Sequence, residues 1–257
     1  IDDIIASETL SAPEQHVTAS DGVQHEIWTL SCQEKIATLV ALFDDLPALY
    51  IADGHHRSAA ASRVQKLMRG RAEGVSSGTE SYDYFLAVAF PQDQMKILAY
   101  NRVITDLNGL NSKAFLERLR DEFDIQCSDE PVVPETKGVM GAYFDGCWYT
   151  LTLREKTKST DPVDSLDVSA LSNRVLGPIL GINDLRKDKR IDFVGGIRGT
   201  QELVRRVDSG AMACAFSLYP TRIEELMSVA DGGQVMPPKS TWFEPKLADG
   251  LISHVLD

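Results

Sequence analysis

Two apolar runs, Val139–Phe144 and Cys147–Leu153, flank the dipeptide Asp145-Gly146, and this pattern restricts the fold more than any other stretch. Asp-Gly accepts the positive φ that both central residues of a type I′ turn require, so the two runs predict an antiparallel two-residue hairpin. Strands and helices alternate elsewhere without a strict βαβ repeat. The expected fold is therefore α+β, a mixed and mostly antiparallel sheet with flanking helices.

The remaining elements follow from periodicity and end signals. Val23–Leu30 alternates like an edge strand. Ser31-Cys32-Gln33-Glu34 reads as a capping box opening a helix with Ile36, Leu39, Val40 and Phe43 on one face. Pro47 separates that helix from a predicted strand, Ala48–Ala52, and a helix from His55 to about Met68 follows, with a mobile polar loop over Gly70–Glu80. Tyr82–Phe90 and Met95–Ile104 predict a second antiparallel pair. Asn111 caps a helix bearing Phe115, Leu116, Leu119 and Phe123. Beyond it are a helix over Ser169–Leu180 interrupted near Gly177-Pro178, a strand Arg190–Val194, a helix Thr200–Val207 and a strand Ala211–Leu218. A second capping box, Thr221-Arg222-Ile223-Glu224, starts a helix that stops at Gly232-Gly233. The tail from Val235 to Lys246 holds too many prolines for a helix or a central strand.

The 257 residues are 43% hydrophobic, enough for a substantial core. No apolar run approaches the roughly 20 residues of a membrane span, and no leader is evident, so a cytoplasmic chain is expected. The net charge of −12 opposes nonspecific binding to DNA or an anionic membrane. Cys32, Cys127, Cys147 and Cys214 lie far apart with no C-x-x-C pair, which excludes a zinc ribbon and predicts buried free thiols. No G-x-S-x-G, H-E-x-x-H, G-x-G-x-x-G or P-loop pattern occurs.

One segment breaks a local rule. In Asp53-Gly54-His55-His56-Arg57-Ser58 three basic residues occupy the first turn of a helix. That end already carries about half a positive charge and unpaired N–H groups. An anion reverses the penalty, so this turn is a candidate phosphate or carboxylate site: Gly54 admits close approach, Arg57 can fork onto oxygens, and Asp53 can hold a divalent ion or accept a proton. The alternative is that Asp53 only caps the helix while the basic groups pair with surface carboxylates. Adjacent histidines on a helix point about 100° apart, which disfavours a metal held by His55 and His56.

Lys239-Ser240-Thr241 with Lys246, beside Trp242 and Phe243, offers a second anion loop or else an arm docked by its aromatics with solvated lysines. Asn101-Arg102 lies inside a predicted strand, where a solvated face is expected for the arginine. Gly195-Gly196-Ile197-Arg198-Gly199 lies between a strand and a helix, where it could cradle phosphate, and reads better as a tight strand-to-helix connection.

Ala52-Asp53-Gly54-His55-His56-Arg57 and Met236-Pro237-Pro238-Lys239-Ser240-Thr241, with Phe243 and Pro245-Lys246, resemble the two signatures of a widespread bacterial and archaeal family of unknown function, some members of which carry the label SpoOJ/ParA/ParB/RepB family protein. Ile97–Val103 resembles that family's Thr-His-Arg strand, with Asn101-Arg102 in place of His-Arg. Together these stretches span about Trp28 to Leu251. Members usually extend further at the N-terminus, which implies a truncated chain here. More distantly the turn is similar to the nucleotide-binding turn of the ParB and sulfiredoxin superfamily, which includes CTP-dependent clamps, sulfiredoxins and nucleotide-dependent free-serine kinases. The resemblance implies a nucleotide-binding part over residues 1–105 and a C-terminal α+β part over 106–257, whose tail 235–257 returns to the site. It implies ATP, ADP or CTP with Mg²⁺, and a small-molecule acceptor such as an amino acid. Asp53, His55 and His56 would be catalytic. Gly54, His55, His56, Arg57, Ser58, Arg102, Lys239, Ser240, Thr241 and Lys246 would bind phosphates or nucleotide. His55 replaces the cysteine that sulfiredoxin chemistry needs, and the charge argues against a DNA clamp. A phosphotransferase is the expected function, with a noncatalytic nucleotide-binding switch or a ParB-like regulator as the alternative, and a second copy of the chain, in a homodimer, is among the expected partners.

Overall fold

The computed structural model describes residues 1–71, 77–154 and 159–256. It divides into two units, Ile1–Ala89 with Lys246–Asp257, and Phe90–Pro245.

The first unit contains α1 (Asp2–Glu8), an antiparallel pair of β1 (Gln15–Thr18) with β2 (Gln24–Ile27), α2 (Gln33–Asp44) and α3 (His55–Arg71). None of its three helices has a buried residue. The expected box at Ser31 does not form: α2 starts one residue later, with Cys32 as an extended N-cap that makes no side-chain capping bond. A one-residue shift takes both partners of a capping box out of register. The predicted strand over residues 48–52 is also absent, and Leu49 and Ile51 are exposed; a short apolar run becomes a strand only where a neighbour supplies ladder bonds. α3 runs through Gly70 to Arg71. Its last turns are tied to Asp83, which accepts from Arg69 Nε at 2.7 Å and from Gln65 Nε2 at 3.2 Å. The centre of the loop expected to be mobile, residues 72–76, lies outside the described residues.

The second unit contains β3 (Lys96–Leu98), β4 (Tyr100–Ile104), α4 (Ser112–Leu119), β5 (Phe123–Ser128), β6 (Val139–Phe144), β7 (Cys147–Leu153), α5 (Asp167–Leu171), β8 (Ile191–Gly195), α6 (Gly199–Asp208), β9 (Cys214–Leu218), α7 (Ile223–Asp231) and β10 (Trp242–Glu244). Six strands form one sheet in the order β5-β7-β6-β9-β4-β8, each pair antiparallel. The hairpin is as expected: Phe144 faces Cys147, and Asp145 and Gly146 have φ of 53° and 74°. Successive residues point to opposite faces, so on β4 Ile104 joins the larger core with Phe115, Met140 and Phe216, while Val103 joins the smaller one with Trp148 and Leu203. β4 is therefore covered on both sides.

Several expectations are corrected here. Tyr82–Phe90 does not pair with Met95–Ile104. Ser81–Asp83 is a 3₁₀ turn and Tyr84–Phe90 carries no ladder. The second run splits at Ala99, whose carbonyl accepts from Gly196 N at 2.7 Å; β3 pairs instead with β10, and β4 enters the large sheet. The thiols are free, but only Cys214 is buried, while Cys32, Cys127 and Cys147 are exposed. Cys127 lies near the end of the edge strand β5, Cys147 opens β7 beside the hairpin turn, and Cys32 is the exposed N-cap of α2. Thr221 does not cap α7. Arg222 is the N-cap, its N–H bonded to Glu225 Oε2 at 2.9 Å, and Thr221 Oγ1 donates to the Ser240 carbonyl at 3.0 Å. Asn111 does cap α4, accepting from Ala114 N at 2.9 Å. The helix expected over 169–180 is α5 followed by a widened π turn, Ser172–Leu176, closed by Gly177 N donating to Ser172 O at 3.0 Å. Pro178, which lacks an N–H, cannot continue it.

Asp167 opens α5 at 7% exposure, and both its oxygens accept from Gly138 N at 2.9 and 3.1 Å. Burial raises its pKa to about 6 against the opposing pull of that bond. A carboxyl raised in the folded state binds more protons folded than unfolded between about pH 4 and 6, so stability falls as pH rises through that window. Asp167 alone is expected to contribute a loss of about 3 kcal/mol across it, against the opposite trend of carboxylates such as Glu202 and Asp53 held below their usual range. The stability difference between wild type and Asp167→Asn in urea unfolding should therefore move against wild type by about that much from pH 4 to pH 6.5.

Candidate functional site

In the first unit the sequence-predicted turn is built as follows. Gly54 has φ +83°, a conformation glycine adopts without penalty, and immediately precedes α3. Its carbonyl accepts from Ser58 N at 2.9 Å and from Ser58 Oγ at 3.2 Å. The N–H groups of His55, His56 and Arg57 precede the first intrahelical bond, and none has an acceptor among the described residues. The side chains of His55, His56 and Arg57 are exposed. Arg57 folds back over the turn, so that a Cβ placed on Gly54 would meet its Nη2 at 3.2 Å.

Asp53 closes the other side. Its Oδ1 accepts from Gly54 N at 2.7 Å, and its Oδ2 lies 3.2 Å from Lys246 Nζ. Burial pushes its pKa up, but the Gly54 N–H, the Lys246 ammonium and Arg57 together outweigh that and hold the carboxyl below its usual range. Asp53 is thus a carboxylate at neutral pH. The structure therefore gathers Asp53, Gly54, His55, His56, Arg57, Ser58 and Lys246 on one turn. His254 Nε2 lies 2.9 Å from Ser81 O in the same unit, a second tie to the end of the tail.

Arg102, Lys239, Ser240 and Thr241 belong to the second unit. Arg102 is 0% exposed, which corrects the expectation of a solvated face: β4 is a central strand, so both its faces are covered. Its Nη1 donates to Tyr100 O, its Nη2 donates to Lys239 O at 3.0 Å, and its guanidinium lies 5.4 Å from the Phe193 ring centroid. Nε has no partner among the described residues. Burial pulls its pKa down to about 9, so it remains a cation at neutral pH. Lys239 takes φ +61°, an unfavourable left-handed conformation for a residue with a side chain, and its Nζ lies 5.7 Å from the Tyr100 ring centroid. Ser240 is buried and donates from Oγ to Pro237 O at 2.6 Å. Thr241 is half-buried. Of the adjoining aromatics Trp242 was expected as an anchor of the arm, while Tyr100 and Phe193 were not singled out: Tyr100 meets Trp242 edge-on at 5.3 Å and Phe193 at 5.9 Å. Their signal was Gly195-Gly196, since a Cβ on Gly195 would lie 2.5 Å from the Trp242 ring and one on Gly196 2.7 Å from Ala99 O.

Among the described residues no group of three or more His, Cys, Asp or Glu is placed to hold a metal, and no helix is long and apolar enough to cross a membrane.

A family model described as "Protein of unknown function (DUF1015)" matches residues 1–169. The chain belongs to the DUF1015 family. What holds of the sequence resemblance is this coarser part, membership of a family of unknown function, whose description names neither partition proteins nor sulfiredoxins. No curated protein matches the chain. Among solved structures, a free serine kinase in complex with AMP is 14% identical, over 84% of this chain and 81% of its own, with a TM-score of 0.40. A conserved hypothetical protein from Pyrococcus furiosus is 14% identical over 84% of each chain, also at 0.40. Likenesses at this level place no individual residue.

Arg102 in this DUF1015 chain joins β4 to the Lys239 turn, which yields a prediction. Arg102→Ala should destabilise the protein by about 2–4 kcal/mol, and Arg102→Lys should restore little of this, because one ammonium does not reproduce a planar fork. Trypsin should cut after Lys239 faster in both variants, as read by mass spectrometry; unchanged cleavage would contradict the clamp.

Proposed function

We propose that this DUF1015 protein binds a nucleotide by its phosphates at the Asp53–Ser58 turn and transfers a phosphoryl group to a small hydroxyl-bearing acceptor, an amino acid or similar metabolite. The observation that carries this reading is the set of three N–H groups, on His55, His56 and Arg57, that lack acceptors at a turn opened by Gly54 with φ +83° and flanked by the Arg57 guanidinium. Unpaired N–H groups, the helix dipole and an obligate cation favour the same ligand, a multiply charged oxyanion. Lys246 adds a cation that Asp53 holds at the rim.

The roles divide by charge. The helix N-terminus and Arg57 would hold the terminal phosphates and stabilise charge on the transferring group, which is the main work of phosphoryl-transfer catalysis. Asp53, kept ionised by its neighbours, would hold Lys246 in place and offer a carboxylate to the substrate side. Mg²⁺ is commonly bound by one or two carboxylates together with substrate phosphates, so a single carboxylate at the turn fits an ion that arrives with the nucleotide and neutralises phosphate charge. His55 and His56 project from the same first turn and would contact the phosphates or the acceptor. Phosphate contacts alone do not select among ATP, ADP and CTP.

The test follows melting temperature and nucleotide turnover together, with Mg²⁺ and ATP, ADP or CTP, with and without an amino-acid pool. Saturating nucleotide should raise stability by about 2–3 kcal/mol at a hundredfold excess over Kd. Arg57→Ala should weaken binding about tenfold or more, and turnover should require an acceptor. Stabilisation without turnover would remove the transfer step and leave a nucleotide-binding switch. Failure of every nucleotide and of phosphate to stabilise the protein would overturn the whole reading.

A further inference from the structure

Far along the chain from the Asp53 turn, the second unit holds a cleft of about 930 Å³ that the phosphotransferase reading does not use. It is lined by Ser172 and Asn173 of the widened π turn, by Gly177-Pro178, by the 182–187 loop and by Pro237-Pro238 of the tail signature. π turns are rare interruptions of helices and occur frequently at functional positions.

Two of the groups lining this cleft lack a partner, and both are donors. Ser169, 3% exposed, lines the cleft, and its Oγ has no hydrogen-bond partner among the described residues. A buried hydroxyl left unpaired costs about 1–3 kcal/mol, a cost that a ligand acceptor would remove. Arg186 also lines the cleft and is exposed; its backbone N–H is bonded to Asp184 Oδ1 at 3.0 Å, but its guanidinium has no ion pair or hydrogen bond among the described residues. An unpaired arginine is unexpected in a chain of net charge −12. The carboxylates of the cleft are already engaged: Asp164 Oδ1 accepts from Asn173 Nδ2 at 3.4 Å, and Asp184 Oδ2 lies 3.7 Å from Lys187 Nζ. The two carboxylates and two cations of the lining balance, so what is left over is hydrogen-bond donation, from the Arg186 guanidinium and the Ser169 hydroxyl, beside the apolar surface of Ile182, Leu185, Pro237 and Pro238.

We infer that this cleft binds a small organic anion, a carboxylate or phosphate head on a short apolar body, with Arg186 meeting the charge and Ser169 accepting the role of donor at its floor. Pockets of this size that combine apolar walls with a few convergent polar groups are the usual form of small-molecule sites. The site does not depend on the Asp53 turn, and it gives Pro237-Pro238 a function as lining.

Backbone amide NMR of the full chain tests this with four probes: phenyl phosphate, benzoate, inorganic phosphate and benzyl alcohol. Phenyl phosphate or benzoate should shift amides in both 172–177 and 183–187, and the stronger of the two identifies the head group. Binding should weaken about tenfold in Arg186→Ala, the loss expected of one charge-assisted hydrogen bond, and severalfold in Ser169→Ala. Arg186 is exposed, so its variant is expected to fold. No shift with either organic anion, equal affinity in Arg186→Ala, or equal affinity for benzyl alcohol or for inorganic phosphate would overturn the inference.

Discussion

The second unit depends on a buried cation with no carboxylate beside it. Taking a guanidinium out of water costs several kcal/mol, and at Arg102 the compensation comes from the carbonyls of Tyr100 and Lys239 and from the face of Phe193. Such an arrangement works only if the tail is present, because one of the two acceptors is a tail carbonyl. The neighbouring features follow. Lys239 holds an unfavourable φ while its carbonyl points to the guanidinium, Thr221 bonds Ser240 O and leaves the capping of α7 to Arg222 and Glu225, and Trp242 lies where only a glycine at 195 leaves room. The tail signature is thus part of the sheet's covering, not an appendage to it.

The first unit is organised differently. None of its helices has a fully buried residue, and at the Asp53 turn a carboxylate, a glycine at positive φ, an arginine and Lys246 meet. Local rules of helix electrostatics are broken there by three consecutive basic residues, and rule-breaking of that kind is expected at functional positions. An anion would satisfy the unpaired N–H groups and the excess positive charge at once. The fold provides the place for it, and the chemistry performed there is a matter of what binds beside it.

What could be read from the sequence was whatever short-range chemistry decides. Asp145-Gly146 fixed its hairpin because both residues tolerate positive φ, Asn111 capped its helix, and Gly54 with the following basic residues marked the turn. Features decided by distant partners were not legible. Residues 48–52 and 84–90 have strand-like composition but no neighbour to pair with, whereas Arg102 looks like a surface residue in its own strand and is buried by elements that follow it by some 90 to 140 positions. The box at Ser31 failed by a single residue of register. The cleft beside the π turn carries no motif at all, since its unpaired donors become evident only once every other polar group has been matched.

The central claim, that the Asp53–Ser58 turn is an oxyanion site, is tested most directly by following the backbone amides of His55, His56 and Arg57 during titration with inorganic phosphate. N–H groups that gain a charged acceptor shift strongly downfield. Saturable downfield shifts are expected at these three amides and are lost in Arg57→Ala, with the Gly54 amide, already bonded to Asp53, moving little. Amides at this turn that stay fixed through the titration, while phosphate shifts resonances elsewhere, would contradict the claim.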